Sequence, residues 1–393
     1  MDLLKLASAQ SHDILSCKPH TLRKKIMFKA KNVLLLFLSC ILPFVILELF
    51  LRLFFGYPHG SFNFLLAAKD GLYPRNSTVI MDYGFKPYTV KTNSLGMRSK
   101  EVSLKKTNGI IRIMAIGDSV TDGYFVENES TYPYMLEQIL NDRKQSAEVL
   151  NVARGGGSIN KEFALLKAAM PLKPDIVILT FVTNDIADIN GRSRDELLSL
   201  KMWTVTKKMP EWMLTKTAIG EFIGDLRLRL KYKNYKLADR DKKKSSEHGM
   251  QAEMARQYEK NVEIFNKSYK QLDGIVMKEP FSDEVNLLID NYAYALKNLH
   301  KFCLDNNAIL VFVYFPNYAQ VYDLSSSLKI RDVVQEMCAK ESIPFLDMTE
   351  TYRNKAKGKV LHFAPMDFHC NPEGNKIFAE SIADFLKNRN LVK

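Results

Sequence analysis

Four short segments of the 393-residue chain carry residue types that could act together on a carbonyl group. The first is Gly117-Asp118-Ser119-Val120-Thr121-Asp122-Gly123, in which glycines on both sides permit a tight turn that exposes the Ser119 hydroxyl. The second is Gly155-Gly156-Gly157-Ser158, shortly after Asn151. Its glycines let the backbone approach a ligand and leave N–H groups free to point at an anion. The third is Val182-Thr183-Asn184-Asp185. A pre-positioned asparagine amide is a good oxyanion donor, although Asn184 is equally suited to capping a helix. The fourth, Asp367-Phe368-His369-Cys370-Asn371-Pro372-Glu373-Gly374, sets a histidine two residues from a carboxylate and just before a helix, so that the imidazole can serve as a base held by its partner. Taken singly, each has a plainer reading as a turn, a flexible connection, a helix cap or a solvated histidine. The remaining histidines, His12, His20, His59, His248, His300 and His362, lie in no comparable context.

The elements around these segments decide whether they can meet. A regular alternation starts after Thr107-Asn108-Gly109, the expected domain boundary. Ile110–Ile116 is a short apolar, β-branched run and predicts a buried strand. Ser130-Thr131 with Pro133 starts a helix through about Leu140. Val149–Val152 predicts a second strand, Ile159–Met170 a helix closed by Pro171, and Ile176–Phe181 a third strand. Asp283–Asn306 reads as a long helix, Ile309–Tyr314 as a strand, Leu328–Lys340 as a helix, Pro344–Leu346 as a short strand and Pro372–Lys387 as a final amphipathic helix. Such alternation predicts an α/β fold with a doubly wound, mostly parallel sheet covered on both faces. Ligands of such sheets bind beyond the carboxyl ends of the strands, which is where the first three segments fall. Residues 187–282 interrupt the alternation. They are basic, carry Trp203 and Trp212, and read as a lid or accessory insertion that is helical in part.

Upstream, Val33–Leu47 is an uninterrupted run of apolar and small residues, and the stretch continues past Glu48 and Arg52 to Phe55. Its length exceeds the about 20 residues needed to cross a bilayer, and Pro43 within it is tolerable in a membrane helix. Residues 1–31 carry seven basic residues against Asp2 and Asp13. By the positive-inside rule this predicts a single-pass anchor (residues 32–55) with residues 1–31 as a cytoplasmic basic tail and the rest extracytoplasmic, on the periplasmic side of the inner membrane in a Gram-negative bacterium. A cleaved signal peptide fits less well, because no small-x-small site follows the run. Residues 56–108, with turn-rich Gly56-Tyr57-Pro58 and Asn93-Ser94-Leu95-Gly96, read as an irregular lead-in to a domain spanning 109–393.

The formal charge of +12 is concentrated in two places, the N-terminal tail and residues 227–244, where nine bases face Asp239 and Asp241. A general nucleic-acid-binding surface is therefore not indicated. The segment Leu226-Arg227-Leu228-Arg229-Leu230-Lys231-Tyr232-Lys233 could border an acidic polymer or lie on anionic headgroups, but a solvated face of the insertion is the plainer reading. Of five cysteines, Cys303, Cys338 and Cys370 follow the apolar run, too few for a disulfide framework. No CxxC pair suggests zinc or redox chemistry.

The joint occurrence of the four segments, in this order and at these strand ends, resembles the SGNH or GDSL hydrolase superfamily, named for a serine, a glycine, an asparagine and a histidine in four blocks. The matching residues are Ser119, Gly156, Asn184 and His369, with Asp367 as the acid. The lead-in Asn93-Ser94-Leu95-Gly96-Met97-Arg98 resembles that of bacterial membrane-anchored members. Three departures stand out. Val182 occupies the usual glycine of the third block, and the second-block glycine could instead be Gly155 or Gly157. The acid often lies three residues before the histidine, where this chain has Met366, so that a Ser–His dyad is the alternative to a triad.

The resemblance implies a flavodoxin-like fold and a membrane-anchored serine esterase needing no metal or organic cofactor. Ser119 would be the nucleophile and His369 the base. An oxyanion hole would be formed by the N–H groups of Ser119 and Gly156 and the Asn184 amide. It further implies acyl esters as substrates, O-acetyl groups on an exported or cell-surface glycan among them, and an association with surface-polysaccharide machinery. An O-acyltransferase using the same residues, and a non-catalytic scaffold of polymer assembly, are the competing functions.

Overall fold

The computed structural model describes residues 19–56, 64, 71–82, 86–189, 217–226, 275–363 and 367–392. Most of the insertion, including Trp203, Trp212 and the basic run from 227 onward, lies outside the described residues, as do Met366 and residues 1–18 of the basic tail.

The chain enters as a long helix, α1 (Pro19–Phe55). Its described apolar side chains are largely exposed, Leu36, Leu42, Phe44 and Ile46 among them. Its Glu48 carboxylate pairs with Arg52 and accepts the N–H groups of Ala218 and Ile219 at 2.8 and 3.0 Å. Glu48 thereby caps a helical segment over residues 218–226, and Leu51 packs on Ala218. Counting only described residues, no helix is long and apolar enough to cross a membrane; Val33, Leu34, Phe37 and Cys40 are not among the described side chains of α1.

The lead-in is less irregular than its turn-rich sequence suggests. β1 (Thr78–Met81) and β2 (Tyr88–Lys91) pair antiparallel, and their inward Val79, Met81, Tyr88 and Val90 form a small core with Tyr73 and Phe125. Four-residue strands give too short an alternation to be recognised against the surrounding turns.

The main sheet has five strands, all parallel: β3 (Ile111–Ile116), β4 (Ala147–Asn151), β5 (Ile176–Phe181), β6 (Ile309–Tyr314) and β7 (Phe345–Asp347), in spatial order β4-β3-β5-β6-β7. Because strand side chains alternate between faces, β3 sends Met114 and Ile116 to one side and Ile113 and Ala115 to the other. The first face is covered by α4 (Ile159–Ala169), α6 (Asp283–Asp305) and α8 (Lys329–Lys340). The opposite face is covered by α3 (Tyr132–Asp142), α9 (Thr349–Lys355) and α10 (Pro372–Asn388). Between these lie the short helices α2 (Ser119–Asp122), α5 (Asn184–Asp188) and α7 (Tyr318–Tyr322). This is a doubly wound α/β fold of flavodoxin-like order. Its switch point, where successive connections leave in opposite directions, lies between β3 and β5.

Near the start of β3, the Arg112 guanidinium is fully buried and donates to Glu148, to Leu172 O and to Ser103 O. Cys303, Cys338 and Cys370 are all free and buried, with burial pushing the Cys303 and Cys370 thiols up to about 12.

Candidate active site

β3 ends at Ile116, and the chain must turn at once to enter α2. Gly117 has φ +153, and a Cβ there would stand 2.3 Å from Thr121 Oγ1, so the turn admits only glycine. Asp118 then caps α2, its Oδ1 accepting Val120 N–H at 3.0 Å. Ser119 is therefore the first residue of a helix only four residues long, with its N–H among the donors that a helix start leaves without an internal acceptor.

So short a helix cannot satisfy its own last carbonyls, and the rest of the molecule does so. Asn151, at the end of β4, donates to Thr121 O at 2.8 Å. Arg98, from the lead-in and 1% exposed, donates to Asp122 O at 2.7 Å, to Gly123 O at 2.6 Å and also to Val126 O. The buried Asp122 carboxylate receives the Tyr73 hydroxyl and, at 2.9 Å, the Gly155 N–H. The Ser119 turn is thus bonded to the lead-in, to β4 and to the glycine loop at once. Arg98, Asn151 and Asp122 stood within or beside motifs noted in the sequence but were given no supporting role, and Tyr73 was not noted. The bracketing of Ser119 by Asp118 and Asp122 was the available signal.

His369 arrives from the opposite end of the chain. Asn371 caps α10 by accepting Gly374 N–H at 2.9 Å, and Pro372 opens the helix, which fixes where it starts. The preceding residues run antiparallel to Leu361–Phe363: Phe363 N–H donates to His369 O at 3.0 Å and Asn371 N–H to Leu361 O at 3.0 Å. His369 Nε2 consequently lies 2.7 Å from Ser119 Oγ across 250 residues of sequence. Its Nδ1 is hydrogen-bonded to Asp367 Oδ1, which also accepts the His369 backbone N–H at 2.8 Å. With the Nδ1 proton directed at the carboxylate, Nε2 presents its lone pair to the serine hydroxyl. Burial favours the neutral imidazole, but the charge and hydrogen bond of Asp367, with smaller contributions from Asp118 and Asp122, outweigh it and raise the His369 pKa above its ordinary value. His362, buried nearby, is pushed down to about 3, chiefly by burial and secondarily by His369, and stays neutral across ordinary pH.

Asn184 begins α5 after β5, on the far side of the switch point. It is the first helical residue rather than a side-chain cap. Its amide donates to Asp188 Oδ2 at 3.1 Å and, more weakly, to Asp118 Oδ2 at 3.4 Å, while Asp118 Oδ2 lies 3.2 Å from Ser119 Oγ. One carboxylate therefore links Asn184 to Ser119. In the glycine loop, the Gly155 N–H is committed to Asp122, whereas Gly156, at φ +70, makes no hydrogen bond through its N–H among the described residues. No hydrogen bond joins Gly156 directly to Ser119 or His369. The rings of Tyr124 and Phe125 pack on the His369 imidazole at centroid distances of 5.2 and 5.7 Å. Behind the site, Glu162 and Asp185 are fully buried. Burial first, and then neighbouring carboxylates, push both well above the usual carboxylate range. Among the described residues, no group of three or more His, Cys, Asp or Glu side chains could hold a metal ion.

A serine hydroxyl bonded to an imidazole that is itself bonded to a carboxylate thus stands at the carboxyl edge of the parallel sheet, beside its switch point. The model of the GDSL-like Lipase/Acylhydrolase family matches residues 115–377, and the chain belongs to that family. No curated protein matches the sequence. Solved structures similar to it include a two-domain esterase active on acetylated mannans, co-crystallised with mannopentaose, at 13% identity and TM-score 0.38, covering 71% of this chain and 49% of that one. An acetyl xylan esterase, AlAXEase, is 12% identical with TM-score 0.38, over 70% of this chain and 98% of that one. A catalytic mutant of an acetylxylan esterase from Geobacillus stearothermophilus is 13% identical with TM-score 0.38, over 70% and 94% respectively. The chain spans about half the length of the first of these.

If Asp367 is what raises the His369 pKa, replacing its charge must lower it. Asp367→Asn is expected to move the His369 titration, followed by NMR at the ring Cε1–H, to lower pH, because the imidazolium loses its paired anion. An unmoved titration would show that another group sets it.

Proposed function

We propose that the protein is a serine ester hydrolase in which Ser119 is the nucleophile, His369 the general base and acid, and Asp367 the carboxylate that orients His369. The observation that carries this reading is the 2.7 Å approach of His369 Nε2 to Ser119 Oγ with Nδ1 held by Asp367. Ser119 Oγ attacks the ester carbonyl carbon as its proton passes to Nε2, and the carbonyl electron pair moves onto oxygen. Collapse of the tetrahedral species expels the alcohol, which takes the proton from His369 and leaves acyl-Ser119. Water then attacks the acyl carbon, giving its proton to His369. Collapse breaks the bond to Ser119 Oγ, which recovers that proton, and the acid departs. The oxyanion is held by the N–H groups of Ser119 and Gly156 and by the Asn184 amide. Asn184 can keep one N–H on Asp188 while the other turns from the 3.4 Å contact with Asp118 to the oxyanion.

The substrate class in this reading is an acyl ester, O-acetyl in particular, on an exported or cell-surface glycan. It is supported by family membership and by the lead-in motif ending at Arg98, which resembles that of membrane-anchored members. The proposed anchor is Val33–Phe55. Its support is the continuous apolar sequence, the basic residues before it, and the exposure of the described apolar side chains along α1. In this placement Glu48 is reached by the backbone of residues 218–219, which removes the cost of an unpaired carboxylate near the end of the span.

With the full chain in detergent, Ser119→Ala is expected to lower hydrolysis of p-nitrophenyl acetate by at least about 10³-fold, and retained activity would exclude Ser119. A sugar acceptor that accelerates p-nitrophenol release and becomes acetylated would assign the same acyl-enzyme to a transferase. The full chain is expected to stay in the membrane pellet after alkaline carbonate extraction, and its release into the supernatant would contradict the anchor.

A further inference from the structure

Lys161 is the third residue of α4, in the first turn of that helix. A cation there meets the positive end of the helix macrodipole, an unfavourable position without compensation. The compensation lies in the glycine loop. The lysine stem folds back over Gly157, where a Cβ would stand 2.5 Å from Lys161 Cδ, so this path requires a glycine. Its Nζ donates to Gly155 O at 3.0 Å and to Gly156 O at 2.6 Å.

Two carbonyls held in this way fix two N–H groups. The peptide unit is planar and trans, so the N–H of each residue points opposite to the carbonyl of the residue before it. Holding Gly155 C=O toward Lys161 turns Gly156 N–H to the opposite side of the loop, and holding Gly156 C=O does the same for Gly157 N–H. The loop is tied on its other flank to the Ser119 turn, through Gly155 N–H on Asp122 Oδ2. Three consecutive glycines would otherwise interconvert freely between backbone states. A flipped Gly155–Gly156 peptide would present a carbonyl oxygen, rather than an N–H, to a developing negative charge.

We infer that Lys161 is a positioning residue for the oxyanion site, clamping the Gly155 and Gly156 carbonyls so that the Gly156 N–H stays directed at the substrate oxygen. This rests on the reading of Ser119 as nucleophile and Gly156 as oxyanion donor. Lys161→Met keeps the stem over Gly157 and removes the donors, while Lys161→Arg keeps donors and charge.

The test uses full-length wild-type, Ser119→Ala, Lys161→Met and Lys161→Arg proteins in detergent, with p-nitrophenyl acetate as substrate and an alkyl trifluoromethyl ketone as the tetrahedral mimic. Lys161→Met is expected to lower kcat about 10- to 100-fold, somewhat less than deletion of an oxyanion donor itself. KM should change by less than about twofold, and the inhibition constant of the ketone should rise by the same factor as kcat falls, since both report the transition state. Lys161→Arg should restore most of the loss. If Lys161→Met keeps kcat within about twofold of wild type while Ser119→Ala is inactive, the Lys161 role is wrong and the serine reading stands. A change in KM alone, or equal losses in the Met and Arg variants with a lowered thermal midpoint, also overturns it by assigning Lys161 to folding. If Ser119→Ala is as active as wild type, the underlying reading fails and the Lys161 role falls with it.

Discussion

A four-residue helix that cannot meet its own carbonyls is the constraint on which the rest of the site depends. α2 starts with Ser119 almost directly after β3, at the carboxyl edge of the sheet, and ends after four residues at Gly123, which is left-handed. Its C-terminal oxygens are therefore satisfied from elsewhere, by Asn151 and above all by Arg98. A buried guanidinium is costly unless its donors are used, and Arg98 uses Nε, Nη1 and Nη2, including a bond from Nε to Asn128 Oδ1. That requirement explains why the lead-in, which has two short strands among its described residues, is folded tightly onto the domain. It closes the back of the turn.

The same economy extends to the carboxylates. Asp118, Asp122 and Asp367 lie close together, and each is engaged by donors: Val120 N–H on Asp118, Gly155 N–H and the Tyr73 hydroxyl on Asp122, and the His369 backbone and ring on Asp367. Their summed negative charge works on His369 against the effect of burial, holding a proton-accepting imidazole in an otherwise apolar surrounding of Tyr124 and Phe125. Glu162 and Asp185, deeper and with fewer donors, meet burial by becoming weaker acids.

Much of the sheet was legible in the sequence. Ile176–Phe181 and Ile309–Tyr314 were read to the residue, since a fully buried parallel strand is a continuous apolar run bounded by turn residues. The positions of the segments just after strands also placed Ser119 and Asn184 at one edge of one sheet; that their strands are neighbours came from the structure. The approach of His369 to Ser119 was expected only through family resemblance, because 250 residues separate them and no periodicity links the two. The supporting contacts were not legible. Arg98 sits in a stretch with no helix or strand period, and its role depends on which carbonyls happen to be unmet 24 to 28 residues later. Asn184 was readable as a cap or an oxyanion donor; in the structure it is the first residue of α5, with its amide on Asp118 and Asp188. Gly156 was matched by resemblance, with Gly155 and Gly157 as alternatives; the bonds of Gly155 N–H to Asp122 and of Lys161 to the Gly155 and Gly156 carbonyls are not legible in a run of three glycines.

The central question is whether the Ser119 hydroxyl is the group that His369 activates. Exposure of the full-length protein to diethyl p-nitrophenyl phosphate, followed by peptide mass mapping, tests this directly, because the reagent phosphorylates an activated serine and releases p-nitrophenol. One diethylphosphoryl group on the peptide containing Ser119, strongly reduced in a His369→Ala protein, is the predicted result. Stoichiometric labelling of a different residue, or labelling of Ser119 that proceeds equally fast without His369, would contradict it.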